Sequence, residues 1–192
     1  MTRYALVGNI ASGKTAIESF FREFGYEVLD TDKVAHEILE SHTSQILEAF
    51  NGQDILSGDK IDRKKLGDIV FSNLAERRKL EAIVHPLIRT RINEYCEGKD
   101  VAIVAIPLLF EAKMEDLFDK IIFVFADDET RLERLMARNN LTQTEAMKRI
   151  NSQMSQFMKL EESDYVFHNN GTLDNLRNQV KDFVKKIIEG QA

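Results

Sequence analysis

The chain has 192 residues, a length that suits one domain with insertions, and its 43% apolar content is enough to bury a sizeable core. A formal charge of −6 argues against a general nucleic-acid binder, which carries a basic stripe, so any basic cluster is expected to act locally on a small anionic ligand. The single cysteine, Cys96, excludes an internal disulfide and a Cys-rich zinc site and reads as a small buried residue, and no apolar run reaches bilayer length or makes a signal core, which gives a cytoplasmic expectation with no membrane partner.

Tyr4 to Val7 reads as a short buried strand, followed at once by Gly8-Asn9-Ile10-Ala11-Ser12-Gly13-Lys14-Thr15. Ile17, Phe20, Phe21 and Phe24 then recur at helical spacing, with Gly25 as a natural stop. Tyr26 to Leu29 reads as a second strand ending at Asp30-Thr31-Asp32. The next stretch carries helical patterns broken at Asn51-Gly52 and Ser57-Gly58-Asp59, with no convincing strand. From Leu74 to Tyr95 the pattern is helical, with an interruption expected at His85-Pro86 because proline ends or kinks a helix.

Val101 to Ile106 and Ile121 to Phe125 are continuous apolar runs, the form of strands covered on both faces. The first leads into Pro107-Leu108-Leu109-Phe110-Glu111, the second into Asp127-Asp128-Glu129, acids suited to a helix N-terminus. Thr142 with Glu145 forms a capping box, Tyr165 to Phe167 reads as a last strand, and Leu173 to Ile188 as an amphipathic helix. Strands alternating with helices predict a three-layer α/β/α fold with a parallel sheet, whose ligands bind beyond the C-terminal strand ends. Gly8 to Thr15, Asp30 to Asp32, Pro107 to Glu111 and Asn169 to Gly171 all follow predicted strands.

Gly8 to Thr15 matches G-x-x-x-x-G-K-[ST] at every fixed position. A loop of inward-pointing N–H groups cradles phosphate oxygens, glycine permits the close approach, and the helix beginning near Gly13 directs its positive end there. Lys14 supplies a mobile charge for the β- and γ-phosphates of ATP, and the Thr15 hydroxyl can ligate Mg²⁺. No Asn-Lys-x-Asp or Asp-x-x-Gly of a GTP switch occurs, and no Leu-Ser-Gly-Gly-Gln of a transporter ATPase. The remaining class is a small-molecule kinase with an acceptor region and a lid. Arg131, Arg134 and Arg138 lie on one helical face; Arg134 and Arg138 are candidates to meet the charge of the transferring phosphoryl group, while Arg131 reads as a solvated residue paired with Asp128, Glu129 and Glu133. Asp32 is the candidate base that orients an acceptor hydroxyl, or else the N-cap of a helix from Lys33 to Leu39; Asp30 is the other candidate for the functional acid.

These motifs together resemble bacterial dephospho-coenzyme A kinases: the phosphate loop, Leu29-Asp30-Thr31-Asp32 with Ala35, His85-Pro86-Leu87-Ile88, Pro107-Leu108-Leu109-Phe110-Glu111, Arg134 with Arg138, and Asn169-Asn170-Gly171. The resemblance implies transfer of the ATP γ-phosphate to the ribose 3′-hydroxyl of dephospho-coenzyme A. It implies Asp32 as base and Lys14 as phosphate-binding lysine, with nucleotide contacts from Gly8, Ala11, Ser12, Gly13, Thr15 and Ala16. Asn169 and Gly171 would lie beside the adenine; His85, Pro107, Leu108 and Glu111 would line the acceptor site. It also implies a single kinase domain with core segments 1–32, 99–128 and 163–192, an acceptor region 33–98 and a lid 129–162, working as a monomer or weak homo-oligomer. The alternative is another P-loop small-molecule kinase, such as one acting on nucleoside monophosphates. The chain departs from the family pattern at Asn9 and Ala11, at Arg138-Asn139, and in lacking an ordinary strand-end acid after Val101 to Ile106. A Cβ at residue 11 fits the loop where φ is negative.

Overall fold

A computed structural model describes residues 1–191. In chain order the elements are β1 (Thr2–Gly8), α1 (Lys14–Glu23), β2 (Val28–Asp30), α2 (Thr31–Ser41), α3 (Thr43–Ala49), β3 (Leu56–Ser57), β4 (Lys60–Ile61), α4 (Arg63–Ser72) and α5 (Leu74–Cys96). There follow β5 (Val101–Ala105), a short 3₁₀ turn at Glu115–Leu117, β6 (Lys120–Phe125), α6 (Asp128–Asn139), α7 (Gln143–Asn151), α8 (Gln156–Glu161), β7 (Tyr165–His168) and α9 (Leu173–Ile188). The chain forms two compact units, residues 1–29 with 98–191, and residues 30–97.

The first unit is built on a five-stranded sheet of order β2-β5-β1-β6-β7. β1 runs parallel to both β5 and β6, and β6 parallel to β7, with Leu6 opposite Ala105 on one side and Ile122 on the other. Helices flank the sheet in the three-layer α/β/α arrangement expected from the alternating pattern. The central strands bury both faces, so their sequences are continuous apolar runs rather than alternating ones. On one face α1 and α9 pack against the sheet through Ile17, Phe21, Val180 and Phe183. The Phe183 ring meets Tyr4, Tyr165 and Phe167 edge-on, at centroid distances of 5.6, 4.9 and 5.6 Å, the geometry that aromatic quadrupoles favour. Thr142 and Glu145 close the capping box expected at α7.

The second unit is helical around Ile46, Phe50, Ile55, Leu66 and Val70. Three of its details differ from the sequence expectation. Ser57-Gly58-Asp59-Lys60 is a hairpin between β3 and β4, with Leu56 opposite Ile61 and Gly58 at φ +62° in the first central position. α5 runs unbroken for 23 residues through Pro86. Ala82, whose carbonyl loses its helical partner to the proline ring, is exposed along with Pro86, so that carbonyl faces solvent while Val84, Ile88 and Ile92 hold the buried face. The N-cap of α2 is Asp30, whose carboxylate accepts the Asp32 amide at 3.0 Å; Asp32 sits inside the first turn and is exposed.

Candidate functional site: the phosphate loop and its braces

β1 ends at Gly8 and α1 begins at Lys14, leaving five residues to turn the chain. The Ser12 amide donates to the Asn9 carbonyl at 3.0 Å, and the Ala16 amide to the Gly13 carbonyl at 3.0 Å. Gly13 takes φ +95°, and a Cβ built there falls 2.0 Å from Asn169 Nδ2, so both backbone conformation and space demand glycine. Gly8 is equally confined: a Cβ would lie 2.5 Å from Ser12 Oγ and 3.2 Å from Val124. Ala11 takes φ +63°, not the negative value its Cβ prefers. A left-handed alanine costs about 1–2 kcal/mol, so the loop holds strain at the second departure from the family pattern.

Asn169 is 4% exposed and donates from Nδ2 to the Ser12 carbonyl at 2.8 Å, fastening the end of β7 to the loop. Its neighbour Asn170 accepts the Asp127 amide at 2.8 Å, and Gly171 is exposed beside them. The segment after β7 is therefore a brace for the phosphate loop and for the start of α6, more than an ordinary Asn-Gly turn.

The loop's outer side is clasped by residues 128–157. Asn9 donates from Nδ2 to the Met154 carbonyl at 2.9 Å, and the Ile10 amide donates to Gln153 Oε1 at 2.7 Å. Arg131 donates from Nε to the Ile10 carbonyl at 3.1 Å and from Nη1 to Asp128 at 2.9 Å. Ile10 and Ala11 also pack against Leu135, Ala146 and Ile150. Arg131 is 1% exposed, so the expectation of a solvated basic residue is overturned: the helical spacing was right, but the loop covers that face. Burial pulls the Arg131 pKa below its usual value and Asp128 opposes that shift. Asn9, the first departure from the family pattern, is 4% exposed and supplies one of these ties.

Lys14 on the first turn of α1 donates to Glu18 at 2.7 Å. Thr15 is exposed there, with Ala16 half-buried beside it. Arg134 is half-buried with one buried guanidinium nitrogen unpartnered, whereas Arg138 is exposed and bonds Asn139 at 2.9 Å. The structure therefore brings Gly8 to Ala16 and Asn169 together, with α6 alongside. After β5, Glu111 Oε1 accepts the Met154 amide at 3.2 Å and the Lys159 ammonium at 2.8 Å, while its Oε2 is buried without a partner. Lys159 also reaches the Pro107 carbonyl at 3.4 Å, and Leu108 is exposed. In the other unit, His85 is half-buried on α5, and burial lowers its pKa, with Arg89 and Arg77 adding to the shift and Glu81 opposing it.

Sequence reasoning missed Gln153, Met154, Lys159 and Glu18. A polar residue facing inward on α8, where Gln156 and Lys159 are buried while Phe157 and Met158 are exposed, is a signal visible only once the fold is known.

A loop of this form with a parallel sheet is shared by many kinases, and comparison with known proteins narrows the choice. Residues 3–175 match the family model described as dephospho-CoA kinase. A curated dephospho-CoA kinase from Listeria monocytogenes serotype 4b is 37% identical over 194 residues, covering 97% of each chain. A crystal structure from Thermus thermophilus aligns with TM-score 0.86 at 31% identity, covering 96% of this chain and 97% of that one. Dephospho-CoA kinase from Campylobacter jejuni aligns with TM-score 0.76 at 30% identity, covering 99% and 98%. With the family model spanning most of the sequence and relatives matched end to end, the chain belongs to the dephospho-CoA kinase family.

Proposed function

We propose that the chain transfers the γ-phosphate of ATP to the ribose 3′-hydroxyl of dephospho-coenzyme A, the closing step of coenzyme A synthesis. The reading rests on one observation: a phosphate loop shaped by a left-handed Gly13 and anchored by Asn169, in a member of this family.

The amides of Gly13, Lys14 and Thr15, at the positive end of α1, bind the β- and γ-phosphates, and Lys14 adds its ammonium. The acceptor oxygen attacks phosphorus as the bond to the ADP oxygen breaks, and its proton passes to Asp32. In a loose transition state, Asp32 works chiefly by orienting the hydroxyl. That role suits its place, because Asp30 does the capping of α2. Arg134 and Arg138 on α6 meet the charge on the transferring group, and closure of residues 129–162 keeps water out. Residues 33–98, with His85, receive the acceptor, and Pro107, Leu108 and Glu111 are the contacts the family resemblance adds from the other unit.

The residues fit Mg²⁺ as well. Among the described residues no group of three or more His, Cys, Asp or Glu forms a cage, and Mg²⁺ is ordinarily held through substrate phosphates, waters and one or two protein oxygens. The exposed Thr15 hydroxyl on the first turn of α1 is the protein oxygen that would hold it. Bound there, the ion would neutralise charge between the β- and γ-phosphates. No helix among the described residues is long and apolar enough to cross a membrane. We place the enzyme in the cytoplasm, as a monomer or weak homo-oligomer with small-molecule partners and no nucleic acid.

The test is ADP release over a panel of acceptors: dephospho-coenzyme A, shikimate and nucleoside monophosphates. Saturation at low concentration by dephospho-coenzyme A alone is the expected result. Preferential use of a nucleoside monophosphate would overturn the substrate assignment.

A further inference from the structure

Lys14 already has an anion. Its ammonium donates to Glu18 Oε1 at 2.7 Å one turn along α1, and Arg22, a turn further, reaches Glu18 Oε2 at 3.4 Å. The Glu18 side chain is 5% exposed and that of Lys14 14%. A cation on the first turn of a helix opposes the helix dipole, so Lys14 needs an anion beside it whether or not nucleotide is present. Glu18 is that anion. The arrangement with lysine N-terminal to glutamate is also the weaker order for an i,i+4 pair, which suits a contact that must release. Arg22 stays to compensate the buried carboxylate once the ammonium leaves, and it is steadied at 3.3 Å from the Val28 carbonyl.

We propose that Glu18 is a positioning residue that docks Lys14 in the nucleotide-free loop and sets ATP affinity by competing with the phosphates for the ammonium. The proposal rests on the reading that Lys14 binds the triphosphate. A docked lysine taxes nucleotide affinity by the fraction of molecules in which it is free. It equally speeds ADP departure, because the ammonium has a place to return to.

The experiment is calorimetric titration with ATP and with ADP for the wild type, Glu18→Gln, Lys14→Ala and the double variant. Glu18→Gln keeps the shape and removes the charge. The expected result is a dissociation constant lowered about three- to tenfold for both nucleotides, with less than about a twofold effect in the Lys14→Ala background. Unchanged or weakened binding in Glu18→Gln would overturn the proposal, as would equal tightening in both backgrounds, which marks a general field effect. A merely structural role would lower the melting temperature and leave affinity unchanged. Should Glu18→Gln not fold, the wild-type protein carrying ¹³C-labelled glutamate decides: the Glu18 carboxyl resonance must shift on adding ATP, and a resonance that stays in place overturns the exchange. A wild type that binds no ATP at all would condemn the functional reading itself, separately from Glu18.

Discussion

Asn169 and Ser12 lie 157 positions apart, yet the Asn169 side-chain amide donates to the Ser12 carbonyl at 2.8 Å with both residues buried. This contact fixes the back of the phosphate loop and fills the space a side chain at residue 13 would need. Gly13→Ala is therefore expected to destabilise the protein by about 2–3 kcal/mol, from left-handed strain plus displacement of Asn169. Gly25→Ala is the control, since Gly25 has φ +90° with nothing within 4 Å of its built Cβ, and only about 1 kcal/mol is expected there. Urea denaturation measures both. Equal losses would show that Asn169 moves aside freely, and nucleotide binding should fail in the Gly13 variant alone.

The Lys159 side chain is 0% exposed and Glu111 is its anion. Glu111→Gln leaves a buried ammonium facing an amide, and a loss of roughly 2–3 kcal/mol is expected. Adding Lys159→Met removes the uncompensated charge and should recover more than half of that loss. A double-mutant cycle in urea reads the coupling. Additive losses would show that the pair is not energetically linked.

His85 ties stability to pH. Burial lowers its folded-state pKa below the ordinary value of about 6.5, so the unfolded chain binds the proton more readily. Its contribution is fully present above about pH 6.5 and is lost as pH falls from there through the lowered folded value. Unfolding free energy measured from pH 7.5 down to 5 should decline more steeply in the wild type than in His85→Gln. Parallel curves would remove His85 from the pH response.

Asp32→Asn is expected to leave the ATP dissociation constant within about twofold while turnover falls by about 10²-fold or more, the range for losing a general base. Asp30→Ala should instead cost about 1 kcal/mol of stability at the α2 cap, with the smaller kinetic effect. Reversal of this pattern would make Asp30 the functional acid.

Local and periodic features were the ones legible in the sequence. The apolar runs of β1, β5 and β6 follow from burial on both faces, and the phosphate loop is eight contiguous residues. The hairpin of β3 and β4 escaped because two-residue strands leave no periodicity. Continuity of α5 through Pro86 depended on which face of the helix is exposed, which proline alone does not reveal. The identity of the α2 cap turned on a shift from one aspartate to another two positions away. Spacing showed that Arg131 shares a face with Arg134; that Ile10, 121 positions away, covers it is a tertiary fact. The same holds for Gln153 and Met154, whose partners lie in the loop more than 140 residues earlier.

The central claim is phosphoryl transfer from ATP held in the Gly8–Thr15 loop to a single ribose hydroxyl. ³¹P NMR of a reaction with ATP, Mg²⁺ and dephospho-coenzyme A tests it most directly, run in parallel with Lys14→Ala. The account expects a new phosphomonoester resonance split by one proton, as a 3′-phosphate requires, growing in step with ADP and nearly absent with the variant. ADP formed without that resonance, or a Lys14→Ala rate equal to the wild type, would contradict it.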